Sequence, residues 1–206
     1  MLILRASDDI DEAEVNNVAT LAELYKIETT INDIDSYDTL YSVLNYGIKY
    51  DYIYLATHGC ETSFGNISGS LDVKWLDFAA TVCSSGIANQ GALFFHSCCK
   101  GGLSQVAWEM FASCPSIEYV CGPRHNVFPT DLTTVFNLYL YYIEMKGIDP
   151  VRAAEKALLA TDIRLVCFDR LETCIEYSYL HHCHNIDDKI QEAFIKLADY
   201  EIKNSK

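Results

Sequence analysis

The sequence predicts an α/β chain, a three-layer α/β/α sandwich around a mostly parallel central sheet. Three observations lead there. "YDYIYLATHG" (Tyr50 to Gly59) and "GALFFHSC" (Gly91 to Cys98) are apolar along most of their length instead of alternating, as strands buried on both faces are. Amphipathic stretches with helical spacing separate such strands, and that alternation implies a parallel sheet covered on both sides. The 206 residues, half of them hydrophobic, suffice for one globular domain with a sizeable core.

Taken in order, "MLILRAS" reads as a short buried strand. In "DEAEVNNVATLAELYKIE" the apolar Val15, Val18, Leu21, Ala22 and Tyr25 fall at helical spacing, with acids in the first turn complementing the dipole. "IETTIN" is a second strand, and "SYDTLYSVLNYGI" a second helix ending near Gly47. After the first long strand and a looser segment comes the second. "GLSQVAWEMFA" then places Leu103, Val106, Ala107, Met110 and Phe111 on one helical face. "IEYVCGP" is a further strand, and "PTDLTTVFNLYLYYIEMKG" a helix closed by Gly147. "DPVRAAEKALLATDI" opens with Asp149 as N-cap and Pro150 at the first helical position. A terminal helix is expected over "DDKIQEAFIKLADYE". Residues 1–165 form the main domain in this reading, and residues 166–206 a helical extension packed on it.

Charge and cysteine content narrow the function classes. Twenty-nine acidic side chains face 15 basic ones, a formal net charge of −14. No run of Lys and Arg interleaves with aromatics, so a phosphate backbone would be repelled and nucleic acid is not expected as a partner. No stretch reaches the roughly 20 apolar residues of a membrane span. The nine cysteines are odd in number, and "MLILRASDDIDEAE" turns acidic at once without a basic leader. Reduced thiols in a cytoplasmic protein are the expectation, most of them buried as small hydrophobes.

The two long strands end unusually, in "THG" and in "HSCCKGG". Parallel sheets gather ligands and chemistry at the carboxyl ends of their strands. Cys98 would stand between a strand end and a helix N-terminus, whose positive dipole end favours a thiolate nucleophile over the other cysteines. His58, on a neighbouring strand end, could act as the acid and base. The backbone N–H groups of Gly59 and Cys98 could receive a developing oxyanion. A strand-end histidine alone is more often a surface or capping residue, and a free cysteine alone is more often core. The pair at two strand ends carries the argument.

These two blocks resemble the signature blocks of the caspase-like cysteine peptidases, in which one apolar block ends in His-Gly and the next in the nucleophilic Cys. Within that clan the likeness is to CHAT domains, the branch related to caspases and separases. It extends over "NISGSLDVKWLDFAA" and through "IEYVCGPRHNVFPTDLTTVFNLYLYYIEMKGIDPVRAAEKA", roughly residues 50 to 165, and ends near residue 166. The resemblance implies a caspase-like sandwich and an endopeptidase with a Cys98–His58 dyad, needing neither metal nor cofactor. It implies a protein or peptide substrate, with an activating or inhibitory partner protein as a further expectation. Bacterial defence or regulated cell death is the implied setting. Ser97-Cys98-x-x-Gly101 matches the non-caspase members, whereas the Cys-x-Gly of caspases proper would choose Cys99 as alternative nucleophile. His125 stands where CHAT sequences often carry tryptophan.

His96 should share the face of Cys98, with Ser97 pointing the other way. Related peptidases that cut after Arg or Lys often carry an acid two residues before the nucleophile. His96 there, with Arg124 in the following turn, would make a pocket that disfavours basic side chains. "YLHHCHN" crowds His181, His182, Cys183 and His184 too closely for one tetrahedral zinc, so no metal site is expected. A catalytically inactive CHAT-like interaction module is the alternative reading. A flavodoxin-like redox protein lacks both a Cys-x-x-Cys pair and a phosphate-cradling glycine loop.

Overall fold

The computed structural model describes residues 1–6, 9–180 and 186–204. Its centre is a six-stranded sheet in the order β2-β1-β3-β7-β8-β9. The strands are β1 (Leu2–Ala6), β2 (Thr30–Ile34), β3 (Tyr50–Ala56), β7 (Ala88–Ser97), β8 (Ile117–Pro123) and β9 (Leu165–Asp169). The first five run parallel, and β9 joins the edge antiparallel to β8. A separate antiparallel sheet of three very short strands, β4 (His58–Gly59), β5 (Ser63–Gly65) and β6 (Asp72–Lys74), grows from the end of β3.

Helices cover both faces. α1 (Glu12–Leu24), α5 (Pro129–Lys146) and α6 (Pro150–Thr161) pack on one another in one layer. The other layer holds α2 (Tyr37–Leu44), α3 (Trp75–Ser85), α4 (Ser104–Ser113), α7 (Arg170–Leu180) and α8 (Ile186–Asn204). Successive side chains of a strand point to opposite faces, and β7 shows this plainly. Phe95 packs with Tyr54 against Phe136 of α5, while Phe94 meets Phe78 of α3. Both faces being buried explains why β3 and β7 read as continuous apolar runs.

Local signals decide the ends. Asp149 accepts hydrogen bonds from the amides of Val151 and Arg152, and Gly147 closes α5 in the left-handed conformation (φ +59°). The second helix stops at Leu44, before Gly47, because the Asn45 amide side chain caps the Tyr41 carbonyl at 2.9 Å. Residues 165–169, expected at the boundary of a helical extension, instead form β9, so the expected boundary after residue 165 cuts a strand of the central sheet. The segment taken as loose between the two long strands holds β4, β5, β6 and the start of α3. Among the described residues no helix is long and apolar enough to cross a membrane. His181, His182, Cys183 and His184 lie outside the described residues.

Candidate active site

β3 and β7 are parallel neighbours, with Ala56 in register with Ser97, so the two unusual strand ends lie side by side. Just beyond, the chain of β3 bends into β4 and that of β7 into the turn Cys98–Gly102. The Thr57 amide donates to the Ser97 carbonyl at 3.3 Å, and the Thr57 hydroxyl to the Gly65 carbonyl at 2.7 Å, which fixes the bend. Gly59 then passes so close to the second turn that a methyl group on it would lie 2.8 Å from Cys98 Sγ and 2.7 Å from the Cys99 carbonyl oxygen. A methyl on Gly101 would likewise meet Cys98 Sγ at 2.8 Å. The thiol of Cys98 is thus held between two residues that must lack side chains.

Three of the turn amides are committed internally. Lys100 N–H donates to His125 O, Gly101 N–H to Cys98 O and Gly102 N–H to Pro123 O, at 3.3, 3.3 and 2.9 Å. None of these three is free to meet a substrate oxyanion. Lys100 takes φ +60° to complete the turn, and its ammonium pairs with Glu61 at 3.1 Å. Beyond that pair lies a cavity of about 650 Å³, lined among others by Glu61, Thr62, Leu103 and Ser104.

His58 presents its ring to solvent, 49% exposed, with Nε2 3.7 Å from Asp9 Oδ2. Asp9, only 10% exposed, also accepts the Ile67 amide, which ties its carboxylate to the β5–β6 loop. Cys98 is the reverse, 2% exposed, and burial pushes its thiol well above the ordinary cysteine range. The expectation that a helix dipole makes Cys98 the most reactive thiolate is therefore corrected, since desolvation outweighs any dipole at this position. Cys99 is half-buried, its thiol 3.9 Å from the Val127 carbonyl. Among the described thiols Cys60 is exposed, and hydrogen bonds with Ser63 and Thr62 lower its pKa to about 7.

His96 and Ser97 do point to opposite faces. The His96 ring stacks on Trp75 at 4.7 Å, and its Nδ1 donates to the Gly101 carbonyl at 3.0 Å, while Nε2 is buried without a partner. His96 is 0% exposed, so its expected place in the wall of an open substrate pocket is corrected; burial lowers its pKa to about 4 and keeps it neutral. Arg124 is exposed on the turn after β8, not turned inward as the pocket reading required. On the opposite face, Ser97 Oγ and the Tyr54 hydroxyl both donate to Glu14 Oε1, at 2.8 and 3.1 Å. Burial raises the pKa of Glu14, and the two hydrogen bonds only partly offset it.

Sequence reasoning missed Asp9, Glu14, Cys60 and Trp75. Glu14 carried a usable signal, being an acid beside Val15 and Val18 on the inward side of its helix. Asp9, Cys60 and Trp75 acquire meaning only once the β4–β6 sheet is folded over the turn. No protein-family model matches the chain, and no curated protein matches it.

Proposed function

We propose that the chain is a cysteine endopeptidase held in a resting form, with Cys98 as nucleophile and His58 as acid and base. The observation that carries this reading is the pinning of Cys98 Sγ against Gly59, the residue after His58, at the carboxyl ends of two neighbouring parallel strands. In the reaction the Cys98 thiolate attacks the scissile carbonyl carbon, and His58 protonates the departing amine. Water, deprotonated by the same imidazole, then releases the acyl group from sulfur as a carboxylic acid. The Gly59 and Cys98 amides would hold the oxyanion. A buried, protonated thiol cannot do this as it stands. The reading therefore requires a partner or substrate protein that parts the β4–β6 sheet from the turn, admitting water and lowering the thiol's pKa. The resemblance to CHAT domains supports the same chemistry on a protein partner, in a cytoplasmic protein, and suggests bacterial defence or regulated cell death as its setting.

One observation favours a second reading. The sealing of Cys98 suits an inactive CHAT-like interaction module, in which the thiol fills space beneath the glycines. A peptidyl acyloxymethyl ketone separates the two, because it needs a nucleophile presented to a bound peptide. Added with cell extract as a source of the opening partner, it should label Cys98 in the wild type, and about a hundredfold less in His58→Ala. Labelling of Cys60 or Cys99 alone, or equal labelling of Cys98 in both proteins, would reject the dyad.

A further inference from the structure

An exposed imidazole works as acid and base only if something fixes which of its nitrogens faces the reacting groups. For His58 a neighbouring strand supplies it. β1 lies beside β3, with Arg5 in register with Ala56, so the chain leaving β1 runs past the strand end that carries His58. There the Asp9 amide donates to the Ala6 carbonyl at 3.3 Å and the Ile10 amide to the same oxygen at 3.1 Å, a tight turn that brings Asp9 beside His58.

One oxygen of the Asp9 carboxylate carries two contacts. Oδ2 accepts the Ile67 amide and stands 3.7 Å from His58 Nε2. A carboxylate oxygen has two lone pairs, so the amide that fixes Oδ2 leaves one for the imidazole. The distance is long for a hydrogen bond, but the His58 ring, half in solvent, can swing to the roughly 2.8 Å of a charge-assisted one. The carboxylate itself is only 10% exposed. An acid so far removed from water is costly unless donors meet it, and the His58 Nε2–H is a second donor within reach.

We propose that Asp9 is a positioning residue for His58, holding the ring by Nε2 and leaving Nδ1 to face Cys98 and the substrate. The role rests on the peptidase reading. When the Cys98 proton passes to Nδ1, the ring becomes an imidazolium whose other N–H already points at a fixed carboxylate. Nδ1 then gives that proton to the departing amine. Asp9 keeps its charge throughout and takes no proton; it fixes the tautomer and stabilises the transient cation. Its bond to the Ile67 amide holds the carboxylate in line, so the acid cannot follow the imidazole out into solvent.

The test has two readouts on the full-length protein. In isotope-labelled protein at about pH 8, where an ordinary imidazole is neutral, the ring-nitrogen NMR shifts of His58 report its tautomer, assigned by their loss in His58→Ala. The wild type should hold the Nε2–H form almost alone, and Asp9→Ala should relax to the mixture of a short histidine peptide measured beside it. Asp9→Asn keeps an oxygen for the Ile67 amide, and with it the tautomer, but lacks the charge that holds an imidazolium. Labelling of Cys98 by the peptidyl acyloxymethyl ketone, with cell extract as the source of the opening partner, should therefore fall about tenfold in both Asp9 variants. An Asp9→Asn protein labelled as fast as the wild type would reduce Asp9 to a structural tie and overturn the proposal. Equal tautomer ratios in wild type and Asp9→Ala would do the same. Labelling that falls in His58→Ala but in neither Asp9 variant overturns this role and leaves the dyad standing. Labelling of Cys98 that is absent, or indifferent to His58, rejects the peptidase reading and this role with it. Asp9→Asn decides if Asp9→Ala fails to fold.

Discussion

Titration of His96 should dominate how this protein loses stability in mild acid. Its ring is fully buried, stacked on Trp75, with Nδ1 donating to the Gly101 carbonyl and Nε2 facing no acceptor. A proton added at Nε2 would be a buried charge on a donor with no partner. The folded pKa is about 4, against an ordinary 6.5 in the unfolded chain. The unfolded state therefore binds the proton first as pH falls. Stability is intact above about pH 6.5 and drains away down to about pH 4, below which this group contributes no further slope. That interval corresponds to about 3 kcal/mol, a large part of the 5–15 kcal/mol typical of a domain. The variant His96→Gln keeps a donor for Gly101 and cannot titrate in this range. Urea unfolding followed by far-UV circular dichroism, at half-unit steps from pH 7.5 to 4, gives both stability curves. The wild type should lose about 3 kcal/mol more than His96→Gln across the interval, whatever their offset at neutral pH. Parallel curves would refute the argument that His96 is buried and neutral.

Other consequences follow from the same geometry. Glu14 has a raised pKa through burial, so its ionisation costs stability as pH rises from the unfolded value of about 4.5 through the folded one; Glu14→Gln should gain on the wild type as pH rises above 4.5, seen as a widening difference in Tm. Gly59→Ala places a methyl 2.7 Å from a backbone carbonyl and 2.8 Å from Cys98 Sγ. It should cost about 1–3 kcal/mol by overpacking and speed alkylation of Cys98 as the turn is pushed open, both measurable by thermal melts and peptide mapping. In the resting wild type, iodoacetamide at pH 7 should label Cys60 before Cys98, because Cys60 is exposed and acidified, to about 7, whereas Cys98 is buried with its pKa raised.

What the amino-acid sequence disclosed, and what it hid, divides along physical lines. β3 and β7 announce themselves because strands buried on both faces must be apolar throughout, and Asp149-Pro150 and Gly147 mark helix ends through backbone chemistry alone. The adjacency of His58-Gly59 and Cys98 follows from parallel pairing of those strands, so the meeting of the two strand ends at the candidate site was legible. β4, β5 and β6, at two or three residues each, are too short to show any period. β9 is hidden in the expected helical extension because an antiparallel edge strand after a helix has no signature in "LVCFD". The protonation states of Cys98, His96 and Glu14 were beyond reach for another reason. Each depends on desolvation by residues distant in sequence, and Cys98 in particular looks like a thiolate by position yet is held neutral by packing.

The most direct test of the central claim compares new protein N-termini in cells expressing the wild type, Cys98→Ala or Cys99→Ala, all three verified as folded. The account predicts a shared set of cleavages in the wild type and Cys99→Ala that is absent from Cys98→Ala. Identical sets in all three, or loss in Cys99→Ala with retention in Cys98→Ala, would contradict it.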